Sequence, residues 1–320
     1  MPLILDGVVS SGQVAAPPKE EPRTRIIWVS PNGDRVVCTD RDGDVVLGMD
    51  RSGEDLPPVG YTEDDVVDGH GTSVRAVRAS ARTYMLPIVA TRATWGSWRA
   101  VQQRVARALW CEDNHGRPAP GTLIVEHPDG TSRRCESAYY AGGAEGQEIN
   151  NHPVYFRAWA LSIRCTDPFP HGEDITVEWG AGEPVPTFPI LPLRLGSSRV
   201  LGTQTVHNDG DRPTLPVFTV QGPVDGLLTL RSETLGAESV YDLSGAHAVA
   251  AGEVVTVDMR RGPSRGVRGP DGSSWWSARV GVPTMWPIVP GMNDLTATAD
   301  GAVAGQTKIL ARAPRIYLTF

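Results

Sequence analysis

Lysine is almost missing from this 320-residue chain. Lys19 and Lys308 stand alone among 30 basic side chains, and the rest are arginine, a bias that follows base composition of the gene rather than mechanism. A basic excess is missing too. Net charge is −7, with 18 basic and 22 acidic groups in residues 1–171 and 12 and 15 in the remainder. Neither half carries the positive footprint that nucleic-acid binding needs. Cysteine is scarce. Cys38, Cys111, Cys135 and Cys165 are far apart and form no CxxC pair, which excludes a cysteine metal cluster and a disulfide scaffold and predicts buried free thiols. No run of about 18 apolar residues exists, nor a charged-then-apolar leader. Synthesis in the cytosol is expected, with neither secretion by a signal peptide nor membrane insertion.

Glycine (35) and proline (27), by contrast, are plentiful. With short β-prone runs they predict a mainly β protein of about two domains. Residues 1–22, with Pro17, Pro18 and Pro22, read as an extended arm. Strands are expected at 26–29, 35–38 and 45–47, turned at Asn32-Gly33 and Asp42-Gly43. Val77, Ala79 and Ala81 alternate with Arg78, Ser80 and Arg82, which predicts a half-buried strand with arginines on its wet face. One amphipathic helix is expected over 98–111, capped by Ser97, with Trp98, Val101, Val105, Ala108 and Leu109 on its buried side. A hairpin follows (123–126 and 132–137) around Pro128-Asp129-Gly130, then a strand through Trp159, Leu161, Ile163 and Cys165. These make an α+β N-terminal domain over 23–170. Pro184, Pro186, Pro189 and Pro192 mark a linker, placed at 171–192. Over 193–320 come only short β-prone runs (217–220, 227–231, 254–258, 275–280, 295–299, 307–311 and 315–320), the spacing of a β-sandwich.

Candidate chemistry is thin. Asp68-Gly69-His70-Gly71-Thr72 looks like the histidine segment of a subtilisin-like protease, but the separate serine turn such an enzyme requires has no counterpart. Asp40, Asp42 and Asp44 space like the start of a calcium loop, yet Val45 and Arg51 occupy the positions that need Gly and Glu. No P-loop, nucleophile elbow or His-Glu-x-x-His occurs. No catalytic residue, cofactor or metal is therefore assigned. Arg260, Arg261, Arg265 and Arg268 crowd one glycine-rich loop and are candidates, with Asp129 and Gly130, for contacts to another subunit. Trp275, Trp276 and Trp286 suit core packing, because one of two adjacent strand residues faces inward.

One long-range pattern is specific. An Asn208–Asp211 turn precedes a proline-bracketed strand to Gly222. Gly252-Glu253 then leads a strand to Asp258, and Trp286 leads to a Pro290–Asn293 turn. Upstream, in order, stand Arg82-Thr83-Tyr84-Met85-Leu86-Pro87, the helix, Asp129-Gly130 and Asp167-Pro168. This order resembles the distal tail proteins of long-tailed bacteriophages (siphophages). The resemblance implies a non-enzymatic virion protein at the tail tip. Its N-terminal domain would build a homohexameric ring, and its C-terminal domain would be a galectin-like β-sandwich. It implies as partners the tail tube protein, the hub protein bearing fibres or a tail-associated lysin, and the tape measure protein. A carbohydrate-binding adhesion module of the same tail tip is the second reading. The hairpin at 123–137 is expected to pair with a neighbouring subunit through its free edges.

Overall fold

The structure is a computed structural model, and it describes residues 24–38, 45–48, 50–65, 70–146, 148–151, 154–180, 199–200, 202–262 and 265–320. The arm at 1–22, the Asp42-Gly43 turn, the Asp40/Asp42/Asp44 run, Asp68-Gly69 and the proline-rich stretch 181–192 lie outside these residues.

The first half contains β1 (Arg25–Val29), β2 (Arg35–Val37), β3 (Val46–Leu47), β4 (Val59–Asp65), β5 (Thr72–Ala79), β6 (Arg82–Arg92), α1 (Trp95–Leu109), β7 (Gly121–Glu126), β8 (Ser132–Gly142), β9 (Glu148–Asn151) and β10 (Val154–Cys165). The second contains β11 (His171–Gly180), β12 (Arg199–Val200), β13 (Thr203–Asn208), β14 (Val217–Gln221), β15 (Gly226–Ser232), β16 (Ala237–Leu243), β17 (Val254–Asp258), β18 (Gly266–Arg268), β19 (Gly291–Asp300) and β20 (Lys308–Ile316). The protein is mainly β, as its composition and turn spacing predict.

In the first half the sheet runs β2-β1-β7-β8-β10-β6-β3, and α1 fills its core. The helix buries the five expected side chains. Trp98 stacks on Trp159 at 6.2 Å, and Trp28 Nε1 donates to the Ala108 carbonyl at 2.7 Å. Its start differs from expectation. Thr94, not Ser97, is the cap, and its hydroxyl accepts from the Ser97 amide. The helix ends at Leu109 because Trp110 takes an extended backbone.

The second half is a two-layer sandwich. One layer is β18-β17-β14-β20-β11, and the other is β12-β19-β15-β16 with β13 also on β19. Trp179, Phe218 and Trp286 form its aromatic centre, with ring centroids 6.3 Å and 5.6 Å apart. The linker expected from residue 171 is corrected here. His171–Gly180 is a strand that pairs with β20 from His171↔Ile316 to Gly180↔Lys308. Its alternating Ile175, Val177 and Trp179 enter the sandwich core. The proline cluster begins only after this strand, at Pro184.

Three more expected strands change. Residues 275–280 form a short 3-10 turn (Trp276–Ala278), because Gly269 and Gly266 let the indoles of Trp275 and Trp276 lie against the backbone. A Cβ on Gly269 would stand 2.4 Å from the Trp275 ring. Residues 307–311 and 315–320 are not two strands. β20 runs through Pro314, which sits where the β11 register shifts, and ends at Ile316.

Trp179→Ala should therefore cost about 3–5 kcal/mol, the range for deleting a buried aromatic. Denaturant unfolding of the full chain measures this. A loss within about 0.5 kcal/mol, typical of a surface site, would instead mark 171–180 as a linker.

Candidate functional site

The informative sites of the described residues are surfaces. The sequence-predicted hairpin is not one of them. β7 lies between β1 and β8, and β8 is bonded to β7, β10 and β11, so the edges expected to recruit a neighbour are occupied within the chain. Asp129 and Gly130 form its turn. Gly130 has φ +86°, and Asp129 Oδ1 accepts from the Thr131 amide at 2.9 Å and its hydroxyl at 2.7 Å. These bonds hold the Asp129 carboxyl below the usual carboxylate range. The turn faces a cleft of about 470 Å³ shared with Arg133, Glu173, Asp209, Arg315 and Tyr317, where the two halves meet.

The unpaired edges lie elsewhere. β4 and β5 form a separate two-stranded ribbon, closed at its base by the Ser80 amide on the Pro58 carbonyl. The half-buried strand expected around Val77 is corrected by this ribbon, in which Val77 is 65% and Tyr61 61% exposed. Arg82, expected on a wet face, is 1% exposed, because the chain leaves the ribbon at Ser80 and enters the core sheet. Register gives the ribbon two unlike faces. Val59↔Ala79, Tyr61↔Val77 and Glu63↔Val74 put four large apolar groups on one face. Gly60, Thr62 and Asp64 with Arg78, Ala76 and Ser73 make the other, and Arg75, the bulged residue, pairs with Asp64.

The last residues knit the halves together. After β20, the Tyr317 amide donates to Pro170 at 2.9 Å and the Leu318 amide to Asp211 at 2.8 Å. The buried Arg82 donates to the Leu318 carbonyl at 2.6 Å and to the Tyr84 hydroxyl at 2.8 Å. Phe320 sets its ring edge-on to Tyr84 at 4.8 Å. Burial raises the Tyr84 hydroxyl far above its ordinary range.

Asn208 and Asn293, which carry much of the family-like pattern, are buried clasps. Asn208 donates to the Ile288 and Arg212 carbonyls (3.2 and 3.3 Å) and accepts from Gly210. Asn293 closes its own turn on Val289 and Gly291. The arginine group divides. Arg260 grips the buried Asp258 with Nη2–Oδ2 at 2.8 Å and Nε–Oδ1 at 3.0 Å. Burial opposes the charge of Asp258, but these bonds outweigh it and lower its carboxyl. Arg268 reaches the Gly272 carbonyl, whereas Arg261 and Arg265 line a second cleft with Arg212. Of the tryptophans, Trp286 is buried, Trp275 packs against the core, and Trp276 carries the Arg279 guanidinium 3.6 Å from its ring centre.

His70 is exposed. Among the described residues no group of three or more His, Cys, Asp or Glu could hold a metal ion, and no helix is long and apolar enough to cross a membrane. The four thiols are free, three of them buried, and burial pushes Cys38 up to about 12.

The whole arrangement matches known structures. The Dit protein (gp 19.1) of phage SPP1, described as a paradigm of the hub adsorption apparatus in Gram-positive infecting phages, aligns over 91% of this chain and 98% of its own, with TM-score 0.57 and 12% identity. The chain has the distal tail protein fold. The phage P2 baseplate in its activated conformation aligns at TM-score 0.45 and 9% identity with Ca, over 91% of this chain and 98% of the matched one. No family model matches the sequence, and no curated protein matches it. The distal tail fold is thus carried here by register and core.

One junction holds a titratable pair. His171 Nε2 lies 3.3 Å from Asp167 Oδ2. That hydrogen bond raises His171 above its ordinary 6.5 despite burial. Burial works against the Asp167 charge, but His171 and the Phe169 amide together lower it below 3.8. The His171 contribution is complete below about pH 6.5 and lost as pH rises through the raised value. The Asp167 contribution is present above about pH 3.8 and lost as pH falls. Thermal melts should show wild type losing stability from pH 6 to 8 relative to His171→Gln; parallel profiles would remove this pair from the account.

Proposed function

We propose that this chain is a structural virion protein of a long, non-contractile phage tail, a distal tail protein that closes into a six-subunit ring at the tail tip. It joins the tail tube to hub or fibre proteins there, and its second half serves as a galectin-like outer module.

The observation that carries the ring is the β4–β5 ribbon. A lone two-stranded hairpin is at best marginally stable in water. This one exposes an apolar face of Val59, Tyr61, Val74 and Val77, together with both outer edges. Such a face on a monomer is a liability unless a partner covers it. A ribbon lying on the next copy, which lays its own ribbon on the one after, is a head-to-tail contact that closes by rotation. The fold likeness over nearly the full chain supports the same reading. The adhesion-module reading gains little from the tryptophans, since Trp286 is buried, Trp275 packs on the core, and the part-exposed Trp276 has one ring face covered by Arg279.

Light scattering coupled to size exclusion, with negative-stain images, should find six 34.4 kDa chains per particle. The ribbon variant Tyr61→Glu/Val77→Glu should run as a folded monomer. Intact rings from that variant would remove the ribbon from the interface. A wild-type chain that stays monomeric at every concentration tested, alone or with the tube protein, would overturn the ring itself.

A further inference from the structure

The cleft holding Arg212, Arg261 and Arg265 has a volume of about 540 Å³ and a mixed lining. The apolar side chains of its lining include Leu215, Met259 and Met285. Pro213 and Pro287 form part of the wall and offer no backbone N–H. Among the described residues no acidic side chain lines it, although the chain as a whole is acidic.

Its walls are fastened from three directions. Asn208 holds the Arg212 carbonyl. Thr214 and Ile288 exchange backbone hydrogen bonds at 3.0 and 2.8 Å, which fixes Leu215 beside Pro287. The Met259 amide donates to Pro216 at 3.2 Å, and the Asp258–Arg260 clamp anchors the base of the arginine loop. That clamp also explains why one arginine of the loop is spent on folding while the next is free to face outward. Arg212 is held in place by the Phe169 ring, 4.0 Å from its guanidinium carbon. The cleft is therefore formed before any ligand arrives.

We propose that this cleft receives an acidic segment of a partner protein, with carboxylates bound by Arg261 and Arg265 and flanking aliphatic side chains seated on Met285 and Leu215, above the buried Met259. The proposal rests on reading the chain as an assembly component and names the chemistry of one of its contacts. Guanidinium groups match carboxylates in paired hydrogen bonds. The polarizable thioether of Met285 packs well against varied aliphatic groups. Among the described residues the lining has no aromatic ring on which a sugar would stack, which favours a peptide over a glycan polymer. Backbone pairing does not contribute at the two prolines, so recognition there is by side chains.

The test titrates the full chain with a fluorescein-labelled peptide of sequence Leu-Glu-Asp-Leu-Glu-Val and follows anisotropy at low and moderate salt. Saturable binding is expected. It should weaken at least tenfold in Arg261→Gln/Arg265→Gln and stay within twofold in Arg268→Gln, whose side chain contacts the Gly272 carbonyl. Replacing the peptide's acidic residues by Gln and Asn should abolish binding. Equal binding by wild type and the double variant would overturn the site. Displacement by an equal concentration of inorganic phosphate, or of a poly(glycerol phosphate) chain, would overturn the peptide assignment in favour of a phosphate site. The measurement is repeated on Tyr61→Glu/Val77→Glu. Binding retained by that variant separates this cleft from ring closure, so failure of either reading leaves the other standing.

Discussion

The pairing of β11 with β20 is the contact on which the architecture depends. It joins residue 171 to residue 316 and residue 180 to residue 308, and so closes the second half on itself before any other long-range contact is counted. Without it the sandwich loses the edge of one layer along with Ile175, Val177 and Trp179 from its core. The same strand touches β8 at His171↔Arg134, so one continuous sheet passes from the first half to the second. Relative orientation is thus set by hydrogen-bonded sheet and by the stitched residues 317–320, not by a flexible tether.

That rigidity bears on how such a molecule could serve an assembly. A connector must transmit position from one neighbour to another, and loosely tethered units do so poorly. Here the side chains most exposed to partners sit on parts unlike the core. One is a ribbon with amphipathic faces and open edges, and another is a preformed arginine-lined cleft on the opposite half of the sequence. Neither needs the fold to rearrange. Four buried polar side chains, by contrast, are spent internally. Asn208, Asn293, Asp258 and Ser239 each satisfy backbone or side-chain partners and leave nothing for a ligand.

Much of the fold was legible because period and punctuation agreed. The α1 face followed a 3.6-residue repeat, and β10 alternated cleanly through Trp159 to Cys165. Strands failed where another rule intervened. β16 buries Ser239 between Ala237 and Tyr241, and only its bond to the Thr284 carbonyl makes that polar residue acceptable inside. β11 hid beside prolines. The Val77 segment did alternate, but alternation reports two unlike faces without saying whether the apolar one is covered by the same chain. The arginine cluster was visible as a run, yet which members face a cleft depends on Asp258, three positions upstream of Arg261, and on Arg212, far away in sequence. Local spacing holds no record of either.

The bond from Arg82 to the Leu318 carbonyl spans 236 positions. On a ribosome adding about 5–20 residues each second, the first half emerges with this buried guanidinium lacking its carbonyl partner for roughly 12–50 s. The amino-terminal unit therefore reaches its final packing only when the far end of the sequence arrives. A nascent chain that has not yet reached Leu318 carries an unfinished core.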